Sequence, residues 1–191
     1  ERIAKLLEMM GNPQKKLKFI HVAGTNGKGS TCAFMQSVLT QAGYKVGMYT
    51  SPSFLRFTDR IRIGKEEMSG ERMAEIMTRI KYNIDEMVLS GLQSPTEFEI
   101  ITALGLVYFY EENCDLVILE VGLGGRLDST NVIDAPLVSV VTPIDYDHMD
   151  ILGSTLEEIA GEKAGILKAG SELVLYPQKK EAEKVILKKA E

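Results

Sequence analysis

The feature that most constrains this chain is the stretch Ala23–Thr31, A-G-T-N-G-K-G-S-T, which packs three glycines and a lysine between two runs of opposite periodicity. Before it, Lys18–Ala23 (K-F-I-H-V-A) is β-branched and aromatic and stops at Gly24, as a buried strand ending in a turn does. After it, apolar residues fall at Ala33, Phe34, Val38, Leu39 and Ala42, a helical spacing that Gly43 ends. The loop departs from the standard G-x-x-x-x-G-K-[ST] pattern, because Gly29 separates lysine from hydroxyl and Val22 stands where the first glycine would. Its physics is unchanged. Glycines let successive backbone N–H groups turn toward one point, a helix N-terminus at Ser30 adds positive potential, and Lys28 adds a point charge for phosphate oxygens. Thr25, Asn26, Gly27, Lys28, Gly29 and Ser30 are therefore the expected phosphate-binding residues, with ATP as the expected nucleotide.

Lys45–Tyr49 reads as a second strand, which makes the opening a βαβ unit. Arg60–Ile63 looks like a short strand, and Ser69 precedes a long amphipathic helix through Val88. Thr96 and Glu99 form a capping box before the apolar helix Ile100–Tyr110. Leu116–Val121 and Leu137–Thr142 are apolar runs of the kind that strands buried on both faces show. Thr155–Leu167 reads as helix, Glu172–Tyr176 as strand and Lys179–Lys189 as helix. The expected fold class is α/β, doubly wound, with a mostly parallel sheet. Its 191 residues, 45% hydrophobic, suit one domain with a sizeable core.

Charge and composition narrow the partners. A formal charge of -5 offers no basic excess for a nucleic acid or an anionic membrane surface, and no apolar run approaches the roughly 18 residues of a membrane span. Cys32 and Cys114 lack metal or disulfide spacing and read as core thiols in a reducing cytosol. The expected location is the cytoplasm. The opening Glu1 and the charged stretch Glu181–Glu191 suggest a fragment.

In a parallel sheet the ligand crevice lies beyond the carboxyl ends of the strands. Four polar clusters stand at such ends: the phosphate loop, Thr50-Ser51-Pro52, Glu120 with Gly122–Arg126, and Asp145-Tyr146-Asp147-His148. Oxygen-rich ligands around ATP suit Mg²⁺. Each cluster also has a bland reading: Ser51 capping a turn, Glu120 paired with Arg126, His148 satisfied within its loop. His21, inside the first strand, reads as a core residue, and Lys163 on composition reads as a solvated lysine.

Taken in order, these clusters resemble the folylpolyglutamate synthase/dihydrofolate synthase family of the Mur-ligase superfamily. The resemblance spans nearly the whole chain and rests on Phe19–Ser30, Tyr49–Pro52, Arg60–Ile63, Thr96–Glu99, E-V-G-L-G-G-R-L-D-S-T-N at Glu120–Asn131, Asp147-His148 and Gly161–Ile166. It implies that the phosphate loop holds ATP, that Ser51 and Glu120 bind one Mg²⁺, and that His148 binds a second, supported by a CO₂-derived carbamate on Lys163. It assigns catalytic roles to Lys28, His148 and Lys163. It makes Thr96, Glu97, Phe98, Glu99, Leu127, Asp128 and Ser129 contacts of the pterin or dihydropteroate, with the capping-box reading of Thr96 and Glu99 equally open.

The implied reaction joins L-glutamate to a folate or dihydropteroate carboxylate through an acyl phosphate, in a monomeric enzyme. Residues 1–191 would be its P-loop ATP-binding domain, without the C-terminal ligase domain, and inactive alone. Rival readings are a peptidoglycan-precursor Mur ligase, which shares loop and lysine, and a nucleotide-dependent ATPase switch.

Overall fold

The computed structural model describes residues 2–53 and 56–191. In chain order the elements are helix α1 (Arg2–Met9), strand β1 (Phe19–Ala23), helix α2 (Lys28–Gln41), strands β2 (Val46–Tyr49), β3 (Ile61–Ile63) and β4 (Glu66–Glu67), and helices α3 (Gly70–Leu89) and α4 (Glu97–Glu111). They continue with β5 (Leu116–Glu120), β6 (Val138–Val141), the short α5 (Met149–Leu152), α6 (Leu156–Lys163), β7 (Glu172–Leu175) and α7 (Lys180–Ala190).

The strands form one sheet in the order β4-β3-β2-β5-β1-β6-β7. β2, β5, β1, β6 and β7 run parallel, while β3 and β4 join antiparallel at one edge. Strand alternation sorts the side chains onto two faces. Ile20, Val22, Val46, Met48, Leu116, Ile118 and Val140 pack with Cys32 of α2. On the opposite face Phe19, Tyr49, Val117 and Leu119 join the apolar sides of α1, α3 and α4, and Val141 packs with α6 and α7. Helices on both faces explain why the central strands carry apolar residues at nearly every position.

The helical period of the segment after the loop is as expected, but its buried face is not. Cys32 and Gln36 of α2 are buried, while Phe34 and Val38 are 73% and 68% exposed. Thr155–Leu167 divides into α6 and a 3₁₀ turn at Ala164–Ile166. α1, not anticipated, buries Ile3, Leu6 and Leu7, a spacing of three and four that one helix turn requires.

Candidate functional site

Four strands, β1, β2, β5 and β6, end at one rim, and the sequence-predicted clusters stand there. β1 passes into the loop at Gly24, whose φ of +147° and close approach to β6 leave no room for a side chain: a Cβ would lie 1.8 Å from Thr142 Oγ1. The Thr25 and Asn26 N–H groups donate to Pro143 O at 2.9 and 3.3 Å. Thr25 Oγ1 donates to Asp145 O at 3.0 Å. The front of the loop is thereby tied to the segment after β6, and its hydroxyl and first two amides serve the fold. Gly27 caps α2 with φ +81°. The amides of Lys28, Gly29 and Ser30, in the first helical turn, lack intrahelical acceptors by geometry and form the anion-facing end. Lys28 Nζ lies back on the loop, donating to Gly24 O at 3.0 Å and Thr25 O at 3.2 Å.

Glu120 closes β5 on the same face as α2 and is 4% exposed. Ser51 N donates to its Oε2 at 3.3 Å, and a Cβ at Gly29 would lie 3.7 Å from that oxygen. Burial pushes the Glu120 carboxyl up, opposed by the Lys28 ammonium and the Ser51 amide. The pairing of Glu120 with Arg126 does not occur, since Arg126 makes a salt bridge of 2.9 Å to Glu162. Among the described residues the buried Glu120 carboxylate has one hydrogen bond, a long one from Ser51 N. With Ser51, which lines the same cavity, it offers oxygen ligands of the kind that fit a hard divalent cation. These groups line a cavity of about 480 Å³ with Gly27, Ser30, Asp59 and Arg62.

Lys163 is not a solvated lysine. It is 3% exposed, and its Nζ donates to Gly24 O at 2.9 Å, the carbonyl that also accepts from Lys28. Burial, and next the neighbouring Lys28 charge, lower its pKa to about 8. Composition missed this because Lys163 lies on the buried side of α6, where Leu156, Ile159 and Ala160 fix the face. His148 stands apart. It adopts left-handed backbone angles before α5, its side chain is 55% exposed, and its nearest charged neighbour is Asp147 Oδ2 at 3.7 Å. Among the described residues no hydrogen bond joins it to Ser51, Glu120 or Lys163, and no three His, Cys, Asp or Glu side chains gather for a metal.

A second cavity, about 390 Å³, opens beyond the end of β5 and is lined by Arg2, Thr96, Phe98, Glu99 and Leu123–Ser129. Thr96 caps α4, accepting from Glu99 N at 3.3 Å, while Thr96 N donates to Glu99 Oε2 at 2.7 Å. Arg2 Nε lies 3.1 Å from the same carboxylate, a contact that α1 supplies and the sequence reading missed. Glu97 is exposed and outside this lining. Leu127, 78% exposed, and Ser129 stand on its wall. The first cavity is lined by Glu120, the last residue of β5, and the second by the segment from Leu123 onward; between them Gly122 abuts the Phe98 ring.

Residues 22–191 match the family model of the Mur ligase middle domain. The chain is 48% identical over 191 residues to the dihydrofolate synthase/folylpolyglutamate synthase of Bacillus subtilis, covering 100% of this chain and 44% of that protein. It is 43% identical over 174 residues to the folylpolyglutamate synthase of Lacticaseibacillus casei, covering 91% and 40% of the two chains. A solved FPGS-AMPPCP-folate complex superposes with a TM-score of 0.95 at 40% identity, over 99% of this chain and 46% of that one. The folylpolyglutamate synthase of Thermotoga maritima gives 0.90 at 41% identity, over 99% and 43%. The chain thus spans less than half the length of these relatives.

Proposed function

The chain belongs to the Mur ligase middle-domain family, and from that premise we propose that its parent is an ATP-dependent ligase joining L-glutamate to the carboxylate of a folate or dihydropteroate. The observation that carries this reading is the pair of cavities along one stretch of chain, one walled by the anion-facing loop and Glu120 at the end of β5, the other by Phe98, Leu127 and Asp128 in and around the segment that follows. Such an arrangement sets a triphosphate beside an organic acid. An acceptor carboxylate oxygen attacks the γ-phosphorus, the bond to ADP breaks, and the acyl phosphate formed is attacked by the glutamate amine. An amide, phosphate and a proton result.

In this reading the amides of Gly27–Ser30 and the Lys28 ammonium hold phosphate oxygens and neutralise their charge, which is most of what phosphoryl transfer asks of a protein. Lys28 leaves the Gly24 and Thr25 carbonyls for the phosphates. Ser51 and Glu120 hold a Mg²⁺, whose role when bound is to neutralise phosphate charge. His148 and a carbamate on Lys163 would hold a second ion, which would neutralise further phosphate charge. The Lys163 ammonium gives up one proton, and the neutral amine then forms an N–C bond to CO₂ and releases a second proton, so that a cation becomes an anion. Thr96, Phe98, Glu99, Leu127, Asp128 and Ser129 contact the pterin-bearing acceptor, with Glu97 at its margin. Residues 1–191 serve as the P-loop domain of a monomeric, cytoplasmic enzyme. Among the described residues, no helix is long and apolar enough to cross a membrane.

The test is ADP release by the full-length parent with Mg·ATP and L-glutamate, given dihydropteroate in one series and a reduced folate in the other. ADP that requires glutamate and one acceptor is the expected result. ADP released without any acceptor would replace this reading with an ATPase switch.

A further inference from the structure

Beneath the second cavity lies a buried hydrogen-bonded chain. Asp128 Oδ1 accepts from Thr130 N at 2.9 Å and from Thr130 Oγ1 at 2.6 Å, while Oδ2 accepts from Leu123 N at 2.9 Å. Thr130 Oγ1, having given its hydrogen to Asp128, is left as an acceptor toward His21 Nε2 at 2.8 Å. Nε2 must therefore carry the imidazole hydrogen, and Nδ1 is the bare nitrogen. His21 is fully buried in β1, and Nδ1 has no partner among the described residues. Thr130 is fully buried as well.

A buried ring with an unpaired nitrogen costs stability that an apolar side chain of similar size would avoid. The cost falls where the ring's other nitrogen fixes a hydroxyl, and that hydroxyl fixes a carboxylate on the wall of the acceptor cavity. From this geometry we infer that His21 and Thr130 are positioning residues for acceptor binding: acting through Asp128, they set the orientation of the carboxylate and the course of the loop Leu123–Ser129. Neither touches the cavity. The inference rests on the proposed function only in taking the second cavity as the acceptor site.

Other contacts isolate the effect to this loop. Asn131 Nδ2 donates to Arg126 O and Gly165 O at 3.1 and 3.2 Å, and Lys168 Nζ donates to the carbonyls of Asn131 and Ile133. The return of the loop is thus anchored independently of His21. Loss of the Thr130 hydroxyl should loosen Asp128 without unseating the rest, and it leaves the phosphate loop, on the far side of Glu120, unchanged.

The experiment uses the full-length parent, measuring KM for acceptor, ATP and glutamate, together with acceptor affinity by calorimetry. Thr130→Val and His21→Leu should each weaken acceptor binding and raise its KM by about tenfold, the scale of one lost buried hydrogen bond, with the ATP and glutamate KM values within about twofold. Thr130→Ser, which keeps the hydroxyl, should restore wild-type values. The double variant should be no worse than either single one, because both act through one chain. Unchanged acceptor affinity in Thr130→Val and His21→Leu overturns the inference, as does an equal rise in all three KM values or additivity in the double variant. A wild-type parent that binds no pterin acceptor overturns the proposed function itself, and the positioning role with it.

Discussion

Lys163 and His21 show how burial disfavours charge in and beneath the site. Lys163 is buried against a carbonyl and a second lysine, so its pKa falls to about 8 from an ordinary 10.5. The unfolded chain binds more protons than the folded one between those values, so stability rises with pH across that window. Lys163→Met should remove the rise, and a denaturation series from pH 7.5 to 10.5 checks it. His21 is held neutral, its pKa lowered to about 3 from 6.5 mainly by burial and next by Lys168. Stability owed to its neutral form is complete above 6.5 and is lost as pH falls toward 3. His21→Leu should therefore gain on the wild type as the pH drops below 6, and parallel loss in both proteins would contradict this. Gly24 has a steric role instead. With φ at +147° and Thr142 Oγ1 in the space a Cβ would take, Gly24→Ala should cost at least about 2 kcal/mol and weaken nucleotide binding, readable by thermal melting with and without ATP.

At the scale of elements, periodicity and turn chemistry carry far. β1, β2, β5, β6 and the loop between β1 and α2 were readable because their local signals agree with their tertiary setting. The buried face of α2 was not. Phe34 and Val38 suggest an apolar face, yet the side toward the sheet is set by where the loop delivers the first helical turn, which puts Cys32 and Gln36 inward. Lys163 and the Arg2–Glu99 pair escaped for a related reason: each depends on a partner far away in the chain, Gly24 or α1. The capping box at Thr96 was legible because its logic is local. Its double reading, cap and substrate contact, can be separated. Glutamine also serves at the third helical position, so Glu99→Gln should leave stability within about 0.5 kcal/mol while breaking the Arg2 pair on the cavity wall. A raised acceptor KM at unchanged stability would establish the binding role; equal KM and equal stability would leave only the cap.

At the scale of the molecule, the two cavities and Lys163 belong to one packed unit. A Cβ at Gly125 would meet the Glu162 and Lys163 carbonyls at 2.9 Å, and one at Gly165 would meet Arg126 backbone at 2.5 Å. The loop Leu123–Ser129 and the end of α6 thus touch backbone to backbone, and the Arg126–Glu162 bridge spans the contact. The phosphate loop, the Glu120 carboxylate, Lys163 and the wall formed by Leu123–Ser129 are therefore held in one rigid arrangement, as a preorganised site requires. In the proposed reading the two cavities would take a triphosphate and an acceptor acid, whereas the reaction also needs glutamate held in line with the acyl carbon. Since the chain spans 44% of its Bacillus subtilis relative, the 191 residues alone should bind Mg·ATP more weakly than the parent and give no glutamate-dependent ADP. Calorimetry and an ADP assay on the two proteins side by side check this. Robust turnover by the short chain would mean that glutamate is positioned by residues already described here, with the rim between Ser51 and His148 the first place to look.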